Sequence, residues 1–533
     1  MVWDLRTSMG NEAAKIRYEV LPYLALGGLD IGCGASKVWP HLIGVDSGKD
    51  AGLFGVVMKP DLIVPDAARL GIFSDASAEN IFSSHLLEHI EDWHGALREW
   101  WRLLKTGGHL ILYLPHADLY PRIGEPGANP DHKHDFQPEL IIDFCRLAFG
   151  DWSLLEAQTR AETNEYSFLL VFRKEKPGSG KSEPWKAPRP EKRAGIVRMG
   201  GNGDALWAAS AAAHLHDEGY AVTVYCSDNG EEVLRHDPHI ADIRILPRGI
   251  LTDEESIEFW MLQATRFDRW VNLHGSVEQR LLPHQEVHEF YLPHVVRHKL
   301  MNHNYVEMVH TYAELPEGAA NRQKFYPTAA EHEWAKTMRD RLRGPLVFLA
   351  PSGSGAFKAW PHAEAFMGLM ADAGIYTLLL GDIKTMPDID HVERNGKEYG
   401  IVVGQEWPLR LAMTMALYAD VVVATESVFA NAVAMEPMPK IVLLSHSSVE
   451  NLTRDWVNTC SLEAPVACHP CHRIHNAAAR LCARDTVTKA SACMASYSAE
   501  TVAGLVRHLV VALEHYAHPP GRAAEFQRDV FQR

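Results

Sequence analysis

The sequence predicts an α/β protein of parallel sheets with helices on both faces. Short apolar runs alternate with amphipathic stretches along the whole chain, the pattern that parallel βαβ units require. Several of those runs exit into glycine-rich turns, at residues 28–34, 200–203 and 352–355. The 533 residues also exceed one domain, since ~100–200 residues per domain predicts three or four. A stretch at 175–193, EKPGSGKSEPWKAPRPEKR, is rich in Pro, Gly, Ser and Lys and holds Trp185 as its one bulky apolar residue. It cannot bury enough surface to offset its ordering entropy and reads as a linker.

Composition narrows the class. With 47% hydrophobic and 23% charged residues the chain is neither disordered nor fibrous. No run approaches the ~18 apolar residues of a membrane span. Met1-Val2-Trp3-Asp4 has neither the basic region nor the apolar core of a signal peptide, so a soluble cytoplasmic protein is expected. Lys+Arg 52 against Asp+Glu 68 leaves −16, which argues against duplex nucleic acid as a partner. The 29 His would soften that charge in mild acid.

In the first block, Gly28-Leu29-Asp30-Ile31-Gly32-Cys33-Gly34 reads as a strand entering a tight turn. Gly32 and Gly34 let backbone N–H groups approach a ligand, and Asp30 offers a carboxylate for a cationic or hydroxyl-bearing part of it. Leu42-Ile43-Gly44-Val45 is the next strand, and Asp46 at its end stands where an acid takes both hydroxyls of a ribose. Leu62-Ile63-Val64 is a third strand, followed by Asp66. Asn80-Ile81-Phe82 and His109 to Leu114 are further buried strands, with a helix over Trp93–Leu104 between them. The third glycine of a dinucleotide fingerprint is missing.

This set resembles the class I S-adenosylmethionine-dependent methyltransferases over roughly residues 20–175. Ile81 to Ile90, with Leu87-Glu88-His89, is similar to that family's fourth-strand motif, and Leu103 to Leu110 to its turn into the fifth strand. The resemblance implies that Asp30, Gly32 and Gly34 line the methionine end of the cofactor, Asp46 the ribose and Asp66 the adenine. Asn129 to Phe136 lies where similar enzymes cover the acceptor. There His134 is either the base that removes an acceptor proton or, like His132, a residue that ties the loop together. His85 and His89 are expected to be structural.

The second block holds two comparable halves. Gly195-Ile196-Val197 and Val222 to Tyr225 are strands of the first half. Arg198-Met199-Gly200-Gly201-Asn202-Gly203-Asp204 then opens an alanine-rich helix whose N-terminus favours an anion. Asp204 is equally suited to cap that helix. Val271 to Glu278 is a strand end at which His274 or Glu278 could touch an acceptor. In the second half, Leu346 to Leu349, Tyr376 to Leu380, Val421 to Val423 and Ile441 to Leu444 are strands. Ser352-Gly353-Ser354-Gly355-Ala356-Phe357-Lys358 combines loop amides with one ammonium, a pairing that suits a diphosphate but lacks the P-loop ending. Asp382 either reaches a ribose or closes a strand-end turn.

These residues resemble the heptosyltransferase-like glycosyltransferases of family 9, of GT-B architecture, over roughly residues 194–515. The resemblance implies that Asp204 is the base on an acceptor hydroxyl and that Ser352, Ser354 and Lys358 bind a donor's diphosphate. Glu426 and Ser427 would complete the donor pocket. Val428 stands where many relatives have glycine and adds bulk there. Such a transfer inverts the anomeric carbon and needs one base, and no Asp-x-Asp metal signature marks the cleft motifs, so a metal-independent glycosyl transfer is expected.

Five of the eight cysteines follow residue 459. Cys468-His469-Pro470-Cys471 with Cys482 and Cys493 is open to three readings: free or redox-sensitive thiols, a structural zinc site, or disulfides. His469, His472 and His475 are further ligand candidates.

The expected organisation is a methyltransferase domain at 1–174, a linker at 175–193, an acceptor-binding half at 194–340 and a donor-binding half at 341–533. The expected activity is bifunctional, with methyl transfer from S-adenosylmethionine and glycosyl transfer from a nucleotide-diphosphate sugar to a surface glycan or lipopolysaccharide-like acceptor. The rivals are modification of a nucleotide or nucleic-acid base, and a chain in which one half has become a binding module.

Overall fold

The structure is a computed structural model that describes residues 12–49, 59–161, 164–179, 192–247, 249–274, 291–342, 344–380, 401–403, 407–472 and 482–517. These residues form two compact units. One lies within Met1–Glu191 and Arg244–Arg266, the other within Lys192–Ile243 and Phe267–Arg533.

The first unit is built on a seven-stranded sheet of order β3-β2-β1-β4-β5-β7-β6. Its strands are β1 (Leu29–Ile31), β2 (Ile43–Asp46), β3 (Leu62–Ile63), β4 (Ala78–Ser84), β5 (Leu104–Pro115), β6 (Trp152–Arg160) and β7 (Ser167–Lys174). β7 runs antiparallel to both neighbours, while β1 to β5 pair in parallel. Between the strands lie α1 (Arg17–Leu24), α2 (Trp93–Leu103) and α3 (Pro138–Ala148).

The start of α2 follows from Asp92, whose side chain accepts from the Gly95 N–H at 2.9 Å and so satisfies an orphan donor. Trp93, Ala96, Leu97, Trp100 and Trp101 recur on one helical face and are buried there. Helix α2 stops at Leu103, one residue before the sequence expectation, because Leu104 is already the first residue of β5. The segment Arg244–Arg266 belongs to this unit: the Gln263 amide donates to the Tyr18 carbonyl at 3.0 Å, and Arg17 pairs with Glu255 at 3.1 Å.

The second unit holds two sheets. One has the order β10-β9-β8-β11, from β8 (Arg193–Arg198), β9 (Ala221–Cys226), β10 (Asp242–Ile245) and β11 (Arg269–Asn272). The other has the order β14-β13-β12-β15-β16-β17, from β12 (Leu346–Ala350), β13 (Tyr376–Leu379), β14 (Ile401–Val403), β15 (Val421–Thr425), β16 (Lys440–Leu443) and β17 (Thr459–Leu462). Its strands pair in parallel throughout. Helix α4 (Asn202–Asp217) follows β8, and its run of alanines packs into the core beside Ile196, Val224 and Val271.

Strand order reverses at β1, at β8 and at β12, which lie between β2 and β4, between β9 and β11 and between β13 and β15, so that the winding runs outward in both directions from each. Ligands of open parallel sheets sit at the carboxyl ends of such strands. The three glycine-rich turns picked out in the sequence leave those three strands.

Candidate active sites

At the carboxyl end of β1 a cleft of about 280 Å³ is lined by Gly32, Asp46, Ser47, Val64, Asp66, Leu86, His89 and Glu91, among others. Gly32 has φ +79°, and a Cβ there would lie 2.7 Å from Leu86 Cδ2. Any side chain would therefore be strained and would crowd the wall of the cleft. Asp46 ends β2, and its carboxylate accepts from the N–H groups of Gly34 at 3.1 Å and Gly48 at 3.2 Å, which fixes its orientation at the rim. Asp66 accepts from Ala68 N–H at 2.9 Å and pairs loosely with Arg69 at 3.6 Å.

Asp30 and Gly34 do not line that cleft. Asp30 is buried, its carboxyl accepting from Val38 N–H at 2.7 Å. Burial raises its pKa to about 7 against the smaller opposing pull of that N–H and of Lys37, with Asp46 adding to the rise. It braces the loop after the glycine turn.

His134 Nε2 stands 3.1 Å from the carbonyls of Ile90 and Glu91, so it donates its proton there and keeps Nδ1 as the basic nitrogen. Beneath this loop Glu88 is fully buried, and neither of its carboxylate oxygens has a hydrogen-bond partner. His89 Nε2 and His132 Nε2 lie 3.9 and 4.0 Å from Glu88 Oε1. Burial raises Glu88 to about 8 and lowers His132 to about 4. His85, hydrogen-bonded to Ser167 at 3.0 Å, is lowered by burial to about 3.

In the second unit a cleft of about 510 Å³ is lined from both sheets: by Gly201, Asn202, Gly203, Asp204 and Trp207 on one side, and by Ser352, Gly353, Ser354, Lys358, Glu426, Ser427 and His446 on the other. Asp204, Ser352, Ser354, Lys358, Glu426 and Ser427, expected from three separate stretches of sequence, therefore meet at one cleft. Asp204 Oδ2 accepts from Gly201 N–H at 2.8 Å and pairs with Arg198 at 3.1 Å, so it caps α4 and faces the cleft at once. Arg198 is 2% exposed and also donates to the Leu273 carbonyl at 3.2 Å. A Cβ on Gly200 would lie 2.7 Å from the Asp204 carboxylate, so glycine is needed for this clasp.

Glu426 lines the cleft but spends its carboxylate inward. It accepts from the N–H groups of Ser445, His446 and Ser447 at 2.9, 3.1 and 2.9 Å and from Ser445 Oγ at 2.6 Å, and it pairs with the His446 imidazole. Lys358 Nζ lies 3.8 Å from Glu426 Oε2 and donates to the Glu426 carbonyl at 3.1 Å. Despite a large opposing desolvation, His446, Lys358 and Ser445 hold this carboxyl well below the usual range. Glu426 thus fixes the exit of β16 and balances Lys358. Val428 begins a short helix, Val428–Ala432, after the extended Ser427. Its backbone is not among the left-handed residues, so the bulk of Val428 is compatible with the turn.

Arg198, Trp207, Asn431 and His446 were not singled out in the sequence. Trp207 Nε1 donates to Asn431 Oδ1 at 2.8 Å, tying the two sheets' helices together, and the Trp207 ring stacks on Tyr305. Arg198 alone was within reach of sequence reading, because a basic residue six positions before Asp204 flanks the same turn. The His274 N–H donates to Asn272 Oδ1 at 2.9 Å, and His274 is not among the residues that line the cleft. Glu278, Asp382 and His475 lie outside the described residues.

No disulfide joins the eight cysteines, all of which are described. Cys468, Cys471, Cys482 and Cys493 do not gather as a group of potential metal ligands among the described residues. His469 bonds the Ser445 carbonyl at 3.2 Å, and His472 packs buried against His298.

Residues 29–112 match the family model of a methyltransferase domain. No curated protein matches the chain. Among solved structures the chain is similar to ADP-heptose lps heptosyltransferase II of E. coli, at 16% identity and TM-score 0.44, over 60% of this chain and 99% of that one. It is similar to a family 9 glycosyl transferase from Veillonella parvula, at 12% identity and TM-score 0.45, over 61% and 100%. A SAM-dependent methyltransferase from Archaeoglobus fulgidus is similar at 18% identity and TM-score 0.24, over 32% and 96%. The chain carries a methyltransferase domain ahead of a two-sheet α/β unit. The first cleft fits an adenosine-bearing methyl donor: a side chain in place of Gly32 would crowd its wall, and two carboxylates, Asp46 at the end of β2 and Asp66 in the turn after β3, rim it.

Proposed function

We propose that the protein is a cytoplasmic bifunctional transferase. Its first unit transfers a methyl group from S-adenosylmethionine. Its second transfers a sugar, with inversion, from a nucleotide-diphosphate donor to a surface glycan or lipopolysaccharide-like acceptor. Convergence of Asp204 with Ser352, Ser354 and Lys358 on one cleft carries the glycosyl reading. The family match at 29–112 supports the methyl reading.

In the second cleft Asp204 takes the acceptor hydroxyl's proton as that oxygen attacks the anomeric carbon and the bond to the diphosphate breaks. Arg198 keeps the carboxylate aimed. Lys358 and the amides of the 352–355 loop offset charge on the departing diphosphate. In the first cleft S-adenosylmethionine supplies an electrophilic sulfonium methyl. Asp46 holds the ribose hydroxyls and Asp66 the adenine, and the Gly32 turn receives the methionine end. His134 Nδ1 receives a proton from the acceptor. No helix among the described residues is long and apolar enough to cross a membrane.

Calorimetry tests both halves. S-adenosylmethionine and either ADP- or UDP-sugar should each bind the full chain, with Asp46→Ala abolishing the first heat and Lys358→Ala the second. Binding of one ligand class alone overturns the bifunctional reading.

A further inference from the structure

Glu88, His89 and His132 together form a feature that neither proposed transfer uses. Glu88 sits in the turn after β4, and His132 in the loop that follows β5. The Glu88 carbonyl accepts from the N–H groups of Lys133 at 2.7 Å and His134 at 3.3 Å, which pins that loop over the turn. The three side chains each offer one ligand atom, and those atoms lie within 4.8 Å of one another. We propose that they bind one divalent transition-metal ion, such as Zn(II), Co(II), Mn(II) or Fe(II), at the wall of the first cleft.

Four observations support it. A fully buried carboxylate whose two oxygens have no hydrogen-bond partner is costly unless a cation or a proton satisfies it. The two imidazole nitrogens face it at 3.9 and 4.0 Å. Two ligands bound at about 2.1 Å can span at most about 4.2 Å, so these pairs are already within reach of one ion. Finally, His89 Nδ1 lies 3.2 Å from the Asp131 carbonyl and donates to it, which leaves Nε2 as the lone-pair nitrogen toward Glu88. That carbonyl–imidazole arrangement is the usual support of a metal-binding histidine.

Two imidazoles and one carboxylate favour a borderline transition ion over Mg(II) or Ca(II), which prefer oxygen ligands. Three protein ligands also leave coordination positions open. Because His89 lines the cleft, an ion there stands beside the space that Gly32 and Asp46 border. An oxygen of a molecule entering that cleft is the chemical class suited to an open position. The other metal-capable group, His216 with Asp217 and His239, differs in that Asp217 is bound by Arg322 and His239 by Asp237.

Co(II) titration of the metal-stripped full chain, read by visible d–d absorption, tests the site without any assay of activity. The wild type should show one saturable band. Glu88→Gln and His132→Gln should each weaken it at least about 10-fold, while His216→Ala with His239→Ala leaves it unchanged. Circular dichroism checks that each variant is folded, and His89→Gln replaces any that is not. A band of equal strength and affinity in folded Glu88→Gln and His132→Gln overturns the proposal. So does a folded wild type with no band, which would assign Glu88 a proton instead. S-adenosylmethionine binding measured alongside separates this outcome from failure of the methyl-transfer reading.

Discussion

In the first unit Asp30 and Glu88 are buried with little compensation, whereas in the second Glu426 and Asp204 are each clasped by a cation. Asp30 has one N–H and the more distant Lys37, and its pKa is raised to about 7. Glu426 has three backbone N–H groups, a hydroxyl, His446 and Lys358, and is held low. Asp204 has Arg198. Burial alone favours the neutral acid, while burial with partners favours the ion. The second cleft therefore keeps Glu426 charged yet balanced by Lys358 and His446. In the first unit burial instead pushes Asp30 up to about 7 and Glu88 up to about 8.

The comparison breaks most visibly at Asp204. Asp204→Asn should lower glycosyl transfer by about 10²–10⁴-fold, the share of a positioned base, with nucleotide binding retained. Unchanged transfer in a coupled assay would remove Asp204 from the role of base. Glu426→Ala should destabilise by about 3–5 kcal/mol in thermal unfolding, because Lys358 and three N–H groups lose their buried partner. A loss under about 1 kcal/mol would mean that the clasp is not what holds the β16 exit.

Asp30 sharpens the contrast through pH. Its folded pKa is above its unfolded one, so the folded state binds the extra proton between about pH 4 and 7, and stability falls as pH rises through that window. Asp30→Asn should flatten this fall and exceed the wild type by on the order of 2 kcal/mol at pH 8. A variant that follows the wild-type pH profile would show that Asp30 titrates normally. The smallest effect is expected at Trp207→Phe, which loses the bond to Asn431 and should cost about 1 kcal/mol of stability. Its stack on Tyr305 remains possible, so a much larger loss would point to packing rather than the hydrogen bond.

Much of the fold was legible in the sequence, because strand, glycine turn and helix are local events written in consecutive residues. The exits at Gly32, Gly200 and Ser352 are such cases, and so are Asp46 at the end of β2 and the burial stripe of α2. Asp204 was legible as both cap and cleft residue, and the structure lets one carboxylate hold both positions. The inward aim of Glu426 was hidden, because its partners at 445–447 follow a different strand. The turning of Asp30 away from the cleft was hidden too, since the competing donor, the Val38 N–H, comes within reach only once the loop is folded.

From the sequence alone came the alternating pattern, the three glycine turns and the acids beside them, for each depends on near neighbours and on backbone sterics. Tertiary structure alone decided which acids would stay charged. It also brought Trp207 to Asn431 across 224 residues and His132 over Glu88. Charge state and long-range pairing depend on which side chains share a low-dielectric space, and that sharing exists only after the sheets have assembled.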